Sequence, residues 1–294
     1  MSPAGSHPPF PADVISALQC PICEDTFGLL NRTLRCTQGH SFDLAKQGYV
    51  NLLHARMAAS TADTTNMVAA RSRFQSADHY GRLAADIAQR SKSVTDSGLV
   101  VDSGAGTGYY LAATLDKLPD CSGLALDISA LALKRAAKAH PRIGAAVWDL
   151  WQPWPVKTGC AQVILNVFAP RNATEFHRIL DPQGTLIVVS PQPEHLEELR
   201  SIVHLIKVDK LKEERLSSTF AEHFHLVDQD ECVYQLNLSA HDIHDVVRMG
   251  PNAHHVDQSD KFDKSLGEMN EHGTSLAVTA SFRISTYQPR KLAS

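Results

Sequence analysis

Long apolar runs are missing from this chain: nowhere do its 294 residues approach the about 20 consecutive apolar positions that a membrane helix needs. The opening MSPAGSHPPFPAD also lacks the basic and apolar regions of a signal peptide, so a cytoplasmic protein without a membrane partner is expected. Cysteine is scarce beyond Cys36. Three of the six (Cys20, Cys23, Cys36) crowd together, while Cys121, Cys160 and Cys232 stand alone. That distribution argues against a disulfide framework and for a metal site. Internal repeats and low-complexity blocks are absent, which excludes a solenoid. A general basic charge is absent too, the net charge being -4. The average hides an asymmetry, because Cys20 to Lys92 carries nine Lys/Arg against six Asp/Glu. A modestly basic N-terminal third permits phosphate contact without demanding it.

What is present is enough apolar sequence, 43%, for one large core and a smaller module beside it. Residues 1–19, rich in Pro, Ser and Ala, read as a flexible tail with at most a short helical turn at DVISAL. A compact zinc-binding domain is expected over 20–54 and a linker over 55–79, turning helical near Asn66. From Tyr80 to the end, strands and helices alternate. GLVVDSGAG, CSGLALDIS, AAVWDL, AQVILNVFA and GTLIVVS read as strands, separated by helical stretches such as ALALKRAAKAH and ATEFHRIL. The alternation predicts an α/β fold with a doubly wound, mostly parallel sheet. After His195 the pattern predicts an amphipathic helix over EHLEELRSIVHLIKV, a helix at HDIHDVVRM, and strands at VDQDECVYQLNL and SLAVTASFRIS that close the sheet as an antiparallel hairpin.

Cys20-Pro-Ile-Cys23, twelve intervening residues, and Cys36-Thr-Gln-Gly-His40 give the frame C-x2-C-x12-C-x3-H. Two thiolates two residues apart reach one metal through a knuckle, and Gly39 beside His40 offers a second tight turn. Four protein ligands leave no position for water or substrate, so a structural zinc is expected. Around it stand Arg32, Arg35 and Lys46 with Phe42 and Tyr49, residue types that pair with phosphates and stack on unpaired bases. They are equally the residues of a solvated face over a small core.

Asp102-Ser103-Gly104-Ala105-Gly106-Thr107-Gly108 follows a strand directly and precedes a helix. Bare backbone at alternate positions lets a cofactor approach closely, and Asp127, at the end of the next strand, can accept both hydroxyls of a ribose. Dinucleotide enzymes share this logic, but here the turn is D-x-G-x-G-x-G rather than G-x-G-x-x-G. A carboxylate opening the turn suits a cationic, ammonium-bearing ligand and not a pyrophosphate, which favours S-adenosylmethionine over a nicotinamide nucleotide. Asp149 of VWD could hold the adenine. The fourth strand ends in NVFAPRN, residues 166–172, beyond the carboxyl end of the sheet where ligands of open α/β folds sit. There Asn166 could bond a base edge and Phe168 stack on its face; an ordinary strand-to-helix turn is the bland alternative. His241, His244, His254 and His255 are too irregularly spaced for a second metal site and read as surface or substrate contacts.

Taken with SFDLAKQGYVNLL, ADTTNMVAAR and ADHY, these motifs resemble the RlmA family of bacterial ribosomal RNA methyltransferases along nearly the whole chain. TLRC, AKQGYVNLL, TTNMVAAR, NVFAPRN and RMGP are closer to its type II branch, whose tylosin-resistance members modify a loop near the macrolide site. The resemblance implies a Rossmann-like class I methyltransferase with a small N-terminal zinc-ribbon-like domain. It implies methyl transfer from S-adenosylmethionine to N1 of a guanine in a 23S ribosomal RNA hairpin loop, and it allows a homodimer. Carried over residue by residue, Cys20, Cys23, Cys36 and His40 become the zinc ligands, and Tyr80, Gly106, Thr107 and His195 cofactor contacts. To these the chemistry above adds Asp102, Gly104 and Asp127 for the cofactor, with Asn166 and Phe168 as catalytic candidates. Ser103 departs from the family, whose turn carries an aliphatic residue there. Two other classes fit less of the chain: a small-molecule methyltransferase with a zinc lid, and a noncatalytic RNA-binding protein with a vestigial cofactor fold.

Overall fold

A computed structural model describes residues 10–53, 63–202, 220–250 and 260–291. The central strands follow from unbroken apolar sequence. β5 (Ser97–Ser103), β6 (Asp120–Asp127), β7 (Ile143–Val147) and β8 (Ala161–Val167) are buried on both faces over most of their lengths, as parallel strands must be when helices cover both sides. With β4 (Tyr49–Asn51), β9 (Leu180–Pro191), β10 (Phe224–Ser239) and β11 (Ser275–Pro289) they form, among the described residues, one eight-stranded sheet in the order β10-β11-β9-β8-β5-β6-β7-β4. Every pairing from β9 to β4 is parallel, whereas β11 runs antiparallel to both β9 and β10. This is the doubly wound, Rossmann-like architecture expected, closed by the expected hairpin.

Helices α3 (Gly81–Val94), α4 (Tyr109–Lys117) and α5 (Ala130–Ala139) cover one face, burying Leu83, Ile87, Leu111 and Leu133. The other face carries α6 (Ala173–Ile179), Trp154 and α1 (Ala12–Ala17). Towards the C-terminus, α7 (Ala240–Arg248) and α8 (Asp260–Glu271) lie between the hairpin strands in sequence. Among the described residues no helix is long and apolar enough to cross a membrane.

Three segments differ from expectation. Residues 10–19 pack firmly: Phe10, Val14 and Leu18 are fully buried against the sheet, each burial stabilising by about 1.5–3 kcal/mol. Their seat exists because Gly144 has no side chain; a Cβ there would meet Phe10 at 2.7 Å and Val14 at 2.8 Å. Within the span expected for the zinc domain, β4 leaves the ribbon and extends the large sheet beside β7. In the expected linker, the helix read from near Asn66 is present as α2 (Thr65–Ser76), N-capped by the Thr64 hydroxyl accepting from Met67 N. Arg73 on α2 forms a two-pronged ion pair with buried Asp245 on α7, at 2.8 and 2.6 Å. Lastly, the helix expected after His195 is only a short 3-10 turn, Glu197–Ser201, and the remainder of that stretch lies outside the described residues.

Candidate active site and metal centre

The metal centre is built by a three-stranded antiparallel ribbon, β1 (Phe27–Leu30), β2 (Thr33–Cys36) and β3 (Ser41–Asp43). Cys20 and Cys23 sit on the knuckle before β1, and Cys36 and His40 bracket the turn between β2 and β3. Their ligand atoms all lie within 4.8 Å of one another. Cys23 Sγ and Cys36 Sγ are 3.7 Å apart, and His40 Nδ1 lies 3.6 Å from Cys20 Sγ and 3.4 Å from Cys36 Sγ. A tetrahedral zinc with bonds of about 2.3 Å to sulfur and 2.0–2.1 Å to nitrogen requires edges of about 3.8 Å and 3.6 Å. The four donors therefore stand where zinc would hold them, with no further open position. Of the residues expected to meet nucleic acid, Arg32, Arg35 and Lys46 are exposed, although the Arg32 guanidinium also donates to Ala45 O at 2.7 Å. Phe42 packs edge-on against Phe27 and belongs to the ribbon's small core, while Tyr49 lies on β4.

The second site lies at the carboxyl ends of β5, β6 and β8, where the strand order reverses between β5 and β8. The glycine turn is tied to the neighbouring strand by Gly104 N and Ala105 N donating to Leu126 O, at 2.8 and 3.0 Å. Gly104 is left-handed, φ 79°, and a Cβ there would lie 2.4 Å from Ala169 Cβ, so the turn admits only glycine. Asp127 closes the turn from β6: one carboxylate oxygen accepts from Gly106 N and the other from Ser129 N, both at 2.8 Å. Each oxygen keeps a second lone pair, the pair of acceptors that the two hydroxyls of a ribose diol can donate to.

Asp102 is 1% exposed, and its Oδ2 has no protein partner among the described residues. Burial, assisted by the nearby Asp127, pushes its carboxyl up to about 8. Asp102 thus rests protonated at neutral pH until a cation approaches. A cationic ligand favours the carboxylate and should expel that proton. Calorimetry at pH 7 in buffers of differing ionisation enthalpy should show uptake of S-adenosylmethionine releasing close to one proton, and Asp102→Asn should release none. Equal proton release by both proteins would remove Asp102 from the site.

Tyr80, at the N-terminus of α3, is buried, and its hydroxyl meets His195 Nε2 at 3.2 Å. His195 Nδ1 accepts from Ser281 N, and burial lowers the imidazole to about 4. The neutral ring therefore carries its proton on Nε2 and donates to the Tyr80 oxygen, leaving the phenolic hydrogen to point onward. Thr107 donates its hydroxyl to Gln75 on α2.

Asn166, at the end of β8, exposes no surface. Its amide nitrogen donates to Pro170 O at 2.8 Å and more weakly to Ser103 O at 3.4 Å, whereas its Oδ1 has no partner among the described residues. Phe168 is half exposed on a left-handed backbone, φ 56°, with the rings of Tyr80, Tyr110 and Phe282 around it. A bulky residue at positive φ costs about 1–2 kcal/mol, and such strain persists where the surroundings enforce it. Ser103 is fully buried and its hydroxyl has no partner among the described residues, so the departure from an aliphatic residue leaves a polar atom in the core.

The cofactor candidates and the two catalytic candidates thus converge, Tyr80 and Phe168 having ring centroids 6.4 Å apart. Asp149 accepts from Trp151 N at 3.0 Å on one carboxylate oxygen and shapes the turn after β7. His241 and His244 face Asp245; His254 and His255 lie outside the described residues. Gln75, Arg71 and the α2–α7 ion pair were missed, since nothing local in TNMVAARSRFQS marks which polar residues turn inward.

Residues 18–60 match the family described as RlmA, N-terminal, a zinc ribbon. The chain is 44% identical over 271 residues to the 23S rRNA (guanine(748)-N(1))-methyltransferase of Streptomyces fradiae, covering 91% of this chain and 96% of that one. It is 41% identical over 296 residues to a protein of Micromonospora griseorubida assigned as a 23S rRNA (guanine-N(1)-)-methyltransferase, covering 94% of this chain and 99% of that one. A Bacillus subtilis protein with the same assignment is 32% identical over 198 residues, covering 64% and 69%.

Proposed function

Since the chain belongs to the RlmA-type family of 23S rRNA (guanine-N1)-methyltransferases, we propose that it transfers a methyl group from S-adenosylmethionine to N1 of a guanine in a 23S ribosomal RNA hairpin loop, in the cytoplasm. The observation that carries this reading is the meeting of a carboxylate that holds the glycine turn, a buried acid whose Oδ2 has no partner among the described residues, and a half-exposed aromatic at one strand-order reversal. The residues suit the methyl donor: Asp127 for the ribose, Asp102 for the positively charged end, and Tyr80 with His195 at the crevice wall. Once bound, S-adenosylmethionine supplies an electrophilic methyl group that the N1 lone pair displaces in line from sulfur.

Guanine N1 carries a proton and lies on the pairing edge, so the base must be unpaired or extruded before it can react. Phe168 offers the stacking face, worth about 1–3 kcal/mol per base. Asn166 offers one acceptor, Oδ1, because its nitrogen is already engaged; since it exposes no surface, the 166–172 loop has to shift before that oxygen receives an N–H of the base. An amide is no base. The N1 proton therefore leaves to an acceptor other than Asn166, whose part is to orient the ring. Asn166→Ala should lower kcat about 100-fold with the affinity for S-adenosylmethionine held within a few-fold, the loss typical of one well-placed polar contact in a transition state. Single-turnover rates beside equilibrium binding check this, and an unchanged rate would clear Asn166 of any role.

The zinc ribbon, with Arg32, Arg35 and Lys46 exposed, serves on this reading as the RNA-gripping module. Primer extension on 23S RNA from cells with and without the gene tests the whole proposal, since N1-methylguanine blocks pairing and stops the polymerase. Identical stop patterns would refute it. Light scattering decides whether the homodimer that the family likeness allows forms in solution.

A further inference from the structure

Helix α2 turns one face onto the glycine turn. Arg71 and Gln75, four residues apart, share that face; Gln75 takes the Thr107 hydroxyl, and a Cβ on Gly106 would lie 3.3 Å from Arg71 Nη1. The guanidinium is fixed from two sides, by Asp63 on Nη1 and by Met249 O, which accepts from Nη2 at 2.7 Å. Those bonds use two of its five N–H donors, and the other three have no partner among the described residues. The side chain is 21% exposed, so this is a largely desolvated cation held rigidly against the turn. A rigid planar fork with spare donors beside a nucleotide crevice is what recognises a carboxylate.

We infer that Arg71 binds the α-carboxylate of the methionyl group of S-adenosylmethionine, so that the connector between ribbon and sheet completes the donor site. The inference rests on the donor reading above. It divides the ligand among three groups: Asp127 for the sugar, Asp102 for positive charge, Arg71 for negative charge.

Two ligands separate this from a merely structural role. S-adenosylhomocysteine carries the carboxylate; 5′-methylthioadenosine keeps the adenosyl group and the sulfur but lacks the amino-acid end. By calorimetry on the intact protein, Arg71→Ala should weaken S-adenosylhomocysteine about 30-fold while leaving methylthioadenosine within about 3-fold, as expected for losing one charge-assisted hydrogen-bonding partner. Arg71→Lys, which keeps the charge without the fork, should fall between wild type and Arg71→Ala, and it carries the test should the alanine variant fail to fold. Equal weakening of both ligands would overturn the inference, because Arg71 would then only shape the turn. So would unchanged affinity for S-adenosylhomocysteine, the result expected if Arg71 meets an RNA phosphate instead. Wild-type protein that bound neither ligand would overturn the donor reading as well.

Discussion

Cys36→Ser should purify with far less than one zinc per chain and with its ribbon unfolded. Apparent zinc affinities of structural sites are worth about 10–16 kcal/mol, more than a 24-residue ribbon can recover from packing alone. The ribbon's own core is slight: Leu34 and Cys20 are fully buried and Phe27 and Cys36 nearly so, with few other apolar side chains to hold β1 to β3 together once a ligand is lost. Serine keeps the shape of cysteine but gives zinc no thiolate. Loss of zinc by elemental analysis, together with new protease cleavage between Cys20 and Leu44, would be the signature. Binding of S-adenosylhomocysteine should survive, because none of Asp102, Gly104 or Asp127 lies in the ribbon, whereas RNA methylation should disappear. A folded variant retaining one equivalent of zinc would show that the four donors do not form a metal site.

Gly104→Ala should reduce affinity for the methyl donor roughly 1000-fold. The added methyl group meets two penalties at once. A residue with a side chain at φ 79° costs about 1–2 kcal/mol, and crowding Ala169 at 2.4 Å adds about 1–3 kcal/mol of overpacking. The turn can escape only by moving, and its movement breaks the register that sets Gly106 N on Asp127. About 4 kcal/mol of misplacement corresponds to roughly three powers of ten in binding. Calorimetry with S-adenosylhomocysteine checks the figure, and Ala105→Gly, which adds no bulk, serves as the comparison. If Gly104→Ala bound within a few-fold of wild type, the turn would not be where the donor rests.

The parts of the fold legible in the sequence are those with a local physical signal. Val100 and Val101 run into glycines, so a buried strand ending in a turn could be read directly, and the four zinc ligands announced themselves by spacing. Asp127 could be singled out as a candidate because it ends a strand at the right distance after the turn. What escaped depends on distant partners. Phe10 and Val14 looked like tail because their seat is Gly144, far along the chain. Tyr49–Asn51 carries no sign that β7 lies beside it, and Arg71 and Arg73 differ in role only because one meets Met249 and Gly106 and the other Asp245. Asn166 was found as a candidate, but the commitment of its nitrogen to Pro170, which leaves it an acceptor only, belongs to three-dimensional geometry.

The pairing of β4 with β7 also sets an order on assembly. The two strands are separated by roughly a hundred residues, and a contact so remote cannot form until the later one has left the ribosome. The ribbon emerges first and can capture its metal while the rest is still being translated. Its exit strand then has to wait for β5, β6 and β7 to align before it docks on their margin. The N-terminal module is thus matured early and fastened late, like a hinge pin driven home after the door is hung.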